Sequence, residues 1–493
     1  MTGHIRIMAA ADTPSPSDPP VPALADRAHA CARRLLTAER VLLASHIDAD
    51  GLTSAGIAST ALARAGIDHE VVFEKQLDAD AIAGIAARGY EVVCFTDFGS
   101  GQLDVIAEHE AAGEFIPVIA DHHQPADADT EFHLNPLLEG INGARELSGA
   151  GASYLLARAL STEAASDGTE PIDNRDLAAL AVVGAVGDMQ NGRDGLVGAN
   201  AAIVADGVAA GVLEERTDIN LYGRQTRPLP KLLEYASDVQ IPGISNDEAG
   251  AIAFLTDLDI DARVDGEWRR WVDLDDDERR TLVSALLRRA VASGVPADRI
   301  ETLVGTSYTL TEETPGTELR DVSEFSTLLN ATARYERADV GLAVCLGDRG
   351  AALTEARSLL RTHRRNLSEG LQWVKSEGVT REEHLQWFDA GSRIRETIVG
   401  IVAGMAVGSP AVDRSKPVIA FAEANATELK VSARGSGTLV RRGLDLSAVM
   451  QEASRTVGGD GGGHDVAAGA TIPASERDAF LTAADRLIGE QLG

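Results

Sequence analysis

Lysine is scarce in this chain of 493 residues. Only Lys75, Lys231, Lys375, Lys416 and Lys430 are lysine among 45 basic side chains, and 76 acidic ones face them, for a formal charge of −31. Such a charge strains a compact fold in dilute buffer, whereas at about 1 M salt the Debye length falls to about 3 Å and the repulsion is screened. The acid-rich, lysine-poor composition therefore fits a cytoplasm held at molar salt, and a halophilic protein is the expectation. The same screening means that the charge does not exclude nucleic acid as a substrate. Cysteine is also rare: Cys31, Cys94 and Cys345 are too few for a disulfide framework, and their apolar neighbours point to buried, reduced thiols. Long apolar runs are missing, since residues 177–187 and 398–407 fall well short of the roughly 20 needed to span a bilayer. The N-terminus shows no basic region followed by an apolar core, so a cytoplasmic protein with no membrane association is expected. Aromatic residues make up 4%, and no platform for stacking bases is visible.

What is present reads as an ordinary globular chain of about three domains, 44% hydrophobic and 25% charged. Residues 1–22, rich in Pro, Ser and Asp, are expected to form a disordered tail. Strand patterns at 41–44, 69–73, 91–96 and 115–120 then alternate with helix patterns at 51–65, 79–88 and 102–111. That alternation indicates βαβ units and a parallel, doubly wound α/β sheet, assigned to a domain over 23–204. A polar loop is expected at 162–170, followed by an apolar helix ending near Asp188. Residues 205–320 read as a helical insertion broken by an acidic loop at 257–277, and 321–408 as a helical connecting region. Pro410 and Pro417 bracket a linker, and strands at 418–421 and 429–433 mark a small α+β domain over 409–493.

Four acidic or histidine clusters sit at expected element ends. His46, Asp48 and Asp50 follow the first strand and point the same way if the backbone stays extended. Asp97 follows the third strand, Asp121, His122 and His123 follow the fourth, and Asp188 ends the apolar helix. Ligands of doubly wound sheets bind beyond the carboxyl ends of the strands, so the first three clusters should converge. Taken singly, Asp97 reads as a helix N-cap and the histidine pair as surface or packing residues. Together the carboxylates would repel one another strongly, and divalent cations resolve the repulsion. Mixed carboxylate and imidazole donors suit Mn²⁺, with Mg²⁺ or Zn²⁺ as alternatives.

The run His46-x-Asp48-x-Asp50-Gly51, then Asp97, then Asp121-His122-His123, then Asp188 resembles the four motifs of the DHH phosphoesterase superfamily. Residues 458–469, with Gly461, Gly462, Gly463 and His464, are similar to the Gly-Gly-Gly-His signature of the companion DHHA1 domain. Asn330 and Arg334 stand in a segment similar to the Asn-Ala-x-x-Arg of RecJ-like nucleases, with Ala333 where Gly is usual. The resemblance is to archaeal, haloarchaeal-type RecJ proteins. It covers about 38–200 and 320–493, and no family is recognised over 205–320.

The resemblance implies a metal-dependent, single-strand-specific exonuclease of DNA or RNA acting in repair or replication. His46, Asp48 and Asp97 would hold one metal, and Asp50, Asp97, His122 and Asp188 the second, with Asp97 bridging. Two such ions, Mn²⁺ in the first instance, lower the pKa of a bridging water and stabilise attacking and leaving oxygens. Asp121 would orient an imidazole and His123 would face the scissile phosphate. Gly461, Gly462, Gly463, His464, Arg434, Asn330 and Arg334 would bind substrate, glycine amides and arginine forks being suited to phosphate. A helix with Arg357, Arg361, Arg364 and Arg365 reads as a solvated face that can also track a phosphate backbone. Two rival readings remain: a small-substrate phosphodiesterase for cyclic dinucleotides or short oligonucleotides, and a scaffold resembling the helicase subunit Cdc45, bound to GINS and other replication proteins.

Overall fold

The computed structural model describes residues 18–166, 172–236, 239–409 and 412–493. The expected tail lies outside them up to residue 17, but ordered structure begins before residue 22: Val21 is buried and Pro22–Leu24 forms a 3-10 turn leading into α1 (Ala25–Leu36). Of the loop expected at 162–170, residues 162–166 instead continue the helix Gly149–Ser166, while 167–170 lie outside, as does Pro410. The chain forms two compact units, one reaching to Ala356 and one starting at Arg357. No helix among the described residues is long and apolar enough to cross a membrane.

The first unit is built on β1 (Arg40–His46), β2 (Asp68–Glu74), β3 (Val92–Thr96), β4 (Ile116–Ala120) and β5 (His133–Leu134). Their order is β2-β1-β3-β4-β5 and every pairing is parallel. The centres of β1, β3 and β4 are fully buried, as a parallel sheet covered on both faces requires. One face, with Leu42, Ala44, Val93 and Phe95, packs on α3 (Ala79–Ala86) and α4 (Leu103–Ala111). The other is covered by α2 (Ala49–Arg64) and α5 (Gly149–Ser166), with α6 (Ala178–Gly187) against both of these helices. The chain moves outward from β1 to β2 and then returns past β1 to β3. The strand order therefore reverses between β1 and β3, and a crevice opens at their carboxyl ends.

After α7 (Gly198–Ala209) the chain enters β6 (Leu213–Ile219), which pairs antiparallel with β9 (Val304–Leu310). Between them lie α8 (Leu229–Glu234), α9 (Glu248–Thr256), the hairpin β7 (Arg263–Val264) and β8 (Glu267–Trp268), α10 (Asp276–Ala292) and α11 (Ala297–Glu301). This insertion has its own core around Leu233, Ile241, Leu255, Trp271 and Leu286. Calling 205–320 helical is thus a simplification. Strand β6 reads Leu-Glu-Glu-Arg-Thr-Asp-Ile and buries only its two ends, so no apolar alternation announces it. The expected acidic loop at 257–277 holds the β7–β8 hairpin for the same reason. Then follow α12 (Val322–Arg334), α13 (Ala338–Cys345) and α14 (Ala351–Glu377).

The second unit is a mixed sheet ordered β10-β11-β12-β13-β15-β14. Its strands are β10 (Thr380–Arg381), β11 (Gln386–Asp389), β12 (Val418–Glu423), β13 (Glu428–Arg434), β14 (Asp460–Gly463) and β15 (Ala467–Pro473). Val418, Ala420 and Ala422 of β12 pack toward α15 (Glu396–Val407), while Ile419 and Phe421 meet α17 (Leu446–Thr456) and α18 (Arg477–Leu492) beyond the short α16 (Gly437–Val440). Because β11 pairs parallel with β12, the sheet starts before the expected boundary at 409.

Candidate metal centre

Strand β1 ends at His46, and the chain turns at once into α2. Asp48 is the N-cap of that helix, and its carboxylate accepts from the Gly51 N–H at 3.0 Å. The extended continuation expected across His46, Asp48 and Asp50 is therefore not what groups them. The helical turn does, placing Asp50 in the first turn of α2 with 2% exposure. A side chain at residue 51 would meet the His46 carbonyl at 2.1 Å, so glycine is required for so tight a turn. Asp97 leaves β3 with φ of 61°, a left-handed conformation that costs a non-glycine residue free energy and that clusters at functional sites. Its N–H is held by the Ala120 carbonyl at 3.0 Å.

Two groups of donors flank Asp97. On one side His46 Nδ1 lies 3.2 Å from Asp48 Oδ1 and 3.5 Å from Asp97 Oδ2. On the other, His122 Nε2 lies 3.3 Å from Asp97 Oδ1 and 3.8 Å from both Asp50 Oδ2 and Asp188 Oδ2. His46, Asp48 and Asp97 form one set of atoms close enough to share a cation; Asp50, His122 and Asp188 form another. The buried Asp97 Oδ1 has no hydrogen bond among the described residues, which fits a carboxylate oxygen kept for a metal. Proton affinities carry the strain of this crowding. Burial and the Asp97 and Asp188 carboxylates push Asp50 well above the usual carboxylate range. Burial opposes protonation of His46, but hydrogen bonds to Asp48 and Asp97 outweigh it and push its pKa up to about 11. The His122 pKa rises as well: burial opposes it, but the nearby Asp97, Asp50 and Asp121 carboxylates outweigh burial. A divalent cation would take over the charge balance that protons supply here.

The surrounding shell fixes each donor. The first two amides of α5, Gly149 N and Ala150 N, donate to Asp50 at 2.7 and 3.0 Å, so a helix N-terminus helps hold its charge. His122 Nδ1 donates to the Gly143 carbonyl at 2.8 Å, which leaves Nε2 as the free ligand atom. Gln190 donates to that same carbonyl at 2.9 Å and to Asp188 Oδ2 at 2.8 Å, and Asn200 in turn holds Gln190 at 2.7 Å. Fully buried Asp121 accepts from Ser100 N at 2.9 Å and from His123 Nδ1 at 2.8 Å. Burial disfavours its charge, but His123 more than compensates and holds the carboxyl below its usual range. Three glycines complete the cradle. A Cβ at Gly149 would stand 2.3 Å from Asp97 Oδ1, one at Gly184 2.4 Å from Asp50 Oδ1, and one at Gly143 2.1 Å from the His122 carbonyl.

Gln190, Asn200 and the three glycines were not foreseen. Glycines are plentiful in this chain, and only the folded geometry singles these out. Of the expected substrate residues, Asn330 places Oδ1 3.2 Å from Ala49 N at the start of α2. Burial raises the Asp48 pKa, but His46, the Gly51 amide and, to a smaller extent, the exposed Arg334 outweigh it and hold the carboxyl below its usual range. Asn330 and Arg334 both belong to the first unit, beside the metal cluster. In the second unit Gly461, Gly462 and Gly463, expected to offer backbone amides to phosphate, lie in regular secondary structure. They are the edge strand β14, in register with Ala470, Gly469 and Ala468. His464 N bonds back to the Ala467 carbonyl, so alternation turns the amides of Gly461 and Gly463 away from β15. Exposed His464 follows, and Arg434, half-buried at the end of β13, bonds its own neighbour's carbonyl, Ala433 O, at 2.8 Å.

Comparison with known proteins gives three family matches: the DHH family, N-terminal domain over residues 40–185, the DHH-CID domain over 221–304 and the DHHA1 domain over 390–490. The middle match supplies a family for the region in which the sequence pattern recognised none. An uncharacterized protein of Methanocaldococcus jannaschii is 30% identical over 456 residues, which are 91% of this chain and 93% of that protein. Among solved structures, RecJ of Thermus thermophilus in complex with Mn²⁺ aligns over 96% of this chain at 18% identity, with a TM-score of 0.59. This chain spans 55% of that RecJ. CDC45 of Entamoeba histolytica aligns over 94% of this chain and 97% of its own at 11% identity, with a TM-score of 0.61. At these identities the likeness concerns the fold.

Proposed function

The chain belongs to the DHH/DHHA1 phosphoesterase superfamily, and from that premise we propose that it is a metal-dependent exonuclease of single-stranded DNA or RNA. The observation that carries this reading is the donor set itself. Two groups of carboxylate and imidazole meet at Asp97, whose oxygens face one group each. His46, Asp48 and Asp97 would hold one divalent ion, and Asp50, Asp97, His122 and Asp188 the other, Mn²⁺ or Mg²⁺. When bound, such a pair activates water for attack on phosphorus and stabilises charge on the phosphoryl oxygens. The chain's own groups do the rest. Asp121 fixes the His123 ring through Nδ1 and, with burial opposing, raises its pKa, so that the half-exposed Nε2–H is available to a phosphate oxygen. Arg334 adds positive charge beside Asp48. In the second unit, the outward amides of Gly461 and Gly463 with His464 and Arg434 offer phosphate contacts. A Cβ at Gly462 would meet nothing within 4 Å, so packing within the protein does not require glycine there. We take the composition as an adaptation to a cytoplasm of molar salt.

The test is digestion of end-labelled DNA and RNA strands with Mn²⁺ or Mg²⁺ in molar KCl. Stepwise shortening of single strands, slower attack on duplex and complete arrest by EDTA are expected. A second reading, a replication scaffold that pairs with GINS, draws on the fold shared with CDC45. Folded protein that hydrolyses no strand with either metal, yet co-purifies with GINS, replaces the first reading by the second.

A further inference from the structure

Within the second unit, α14 and the segment leading into α15 enclose a cleft of about 330 Å³ lined by Asn366, Glu369, Trp373, Arg393 and Arg395, among others. That volume falls at the lower end of small-ligand sites. Trp373 is one of four tryptophans in the chain. It is half-buried, and its ring meets Phe388 edge-on at 6.1 Å and 72°, which keeps it from turning freely. Gly370 lets the two helices close: a Cβ there would come within 3.1 Å of Val402 and 3.3 Å of Ile394. Arg393 and Arg395 are exposed on either side of buried Ile394, and the Arg395 carbonyl accepts from Ile398 N and Val399 N to begin the 12-residue α15. An indole, an amide, a carboxylate and two guanidinium groups thus share one cleft. In a chain with a charge of −31, two arginines against the one carboxylate of Glu369 give this lining a local surplus of positive charge.

We propose that this cleft is a nucleotide subsite, in which Trp373 stacks on one base, Asn366 and Glu369 meet its edge, and Arg393 and Arg395 hold its phosphate. The proposal rests on reading the chain as a nucleic-acid phosphodiesterase, and it adds the stacking surface that the aromatic-poor sequence did not reveal. The nucleotide is either a unit of the bound strand or a released mononucleotide, and the chemistry of recognition is shared.

Binding is measured with the full chain in EDTA and molar KCl, so that nothing is cleaved. One probe is a labelled single strand of about 12 nucleotides, within the usual site sizes, and the other is AMP. Trp373→Leu is expected to weaken the strand by about tenfold and Trp373→Tyr to restore most of it, as loss of one stacked base predicts. Arg393→Ala with Arg395→Ala is expected to weaken it similarly and to flatten the plot of log affinity against log salt by about 0.7, one phosphate's worth. If strand affinity holds but AMP binding falls about tenfold, the cleft takes the free nucleotide and the assignment stands. If folded variants bind both probes within twofold of wild type, the assignment is wrong. The surface arginine pair decides the matter should Trp373→Leu not fold. A wild-type protein that binds AMP through Trp373 but cleaves no strand would overturn the exonuclease reading and leave the cleft intact.

Discussion

Asp97 stands between two donor sets in a backbone conformation that aspartate rarely adopts, and the residues around it are selected for shape as much as for charge. Asp97→Asn keeps that shape and removes the charge shared by both ions. Loss of several kcal/mol of electrostatic stabilisation corresponds to about 10³-fold or more in rate, and hydrolysis of a labelled strand should fall at least that far with the circular dichroism spectrum unchanged. Asp104→Ala, in the first turn of α4 and outside the clusters, should be close to wild type. Gly149 gives a sharper test, because it carries no chemistry of its own. The methyl of Gly149→Ala would lie 2.3 Å from Asp97 Oδ1 and 2.8 Å from the Asp97 Cα, so Asp97 must move. Activity and Mn²⁺ affinity should both drop, the latter by about 10- to 100-fold as for other changes next to metal ligands. Gly84→Ala, inside α3 with nothing within 4 Å of the new methyl, should leave activity alone and gain up to about 1 kcal/mol in a denaturant melt.

Helix α12 joins the insertion to the metal centre, and its first turn is unusually polar for a buried place. Arg224 is ion-paired with Asp321, the N-cap of α12, and fully buried Glu324 accepts from Gln225 N at 2.8 Å and from the Thr226 hydroxyl. Further along, Asn330 touches the start of α2, and Ser326 lies against Gly187, next to Asp188. Burial first, and then Asp321, push the Glu324 pKa up to about 7 from an ordinary 4.5. Between those values the folded state holds a proton that the unfolded chain has released, so stability falls as pH rises from about 4.5 to 7 and then levels off. Glu324→Gln has no such proton to lose, and its melting temperature should vary less than wild type between pH 5 and 8. An equal slope for both proteins would remove Glu324 from this role. None of this network was legible in the sequence, since its members lie about a hundred residues apart. What was legible follows the same physical logic. Strands β1, β3 and β4 have apolar, buried centres and declare themselves, and the acidic and histidine clusters stand directly at the ends of strands or of α6. Charged β6 and all-glycine-and-aspartate β14 carry no strand signal, because cross-strand pairing alone makes them strands. His46 and Asp48 fall in one donor set and Asp50 in the other, and it is the turn into α2, not an extended strand, that sets Asp48 and Asp50 on either side of Asp97.

At the scale of the molecule, the charge of −31 sets two effects of salt against each other. Surface ion pairs such as Arg88–Glu70 and Arg280–Asp277 are each worth about 0–1 kcal/mol and weaken as salt screens them. Repulsion among the 76 acidic side chains, set against 45 basic ones, weakens too, and on the proposed reading of the composition that relief is the larger quantity. The Debye length falls from about 10 Å at 0.1 M to about 3 Å at 1 M, so repulsion between neighbouring acidic side chains is cut over this range. The melting temperature should therefore rise steadily with KCl from about 0.1 M to molar concentrations, and structure should be lost on dialysis below that range. Chloride is the anion to use, because sulfate strengthens the burial of apolar surface in any protein and would mask the charge effect. The insertion offers a direct check on cause. Asp257, Asp259, Asp261, Asp265 and Glu267 are all exposed on a short stretch of chain. Replacing them with Asn and Gln removes five negative charges and leaves the core untouched. If repulsion governs the salt response, this variant should be more stable than wild type at 0.1 M KCl and converge with it near 1 M. A wild-type melting temperature that is flat or falls across the KCl series, or a variant that tracks wild type at every concentration, would mean that the acidic surface is not what the protein needs salt to tolerate.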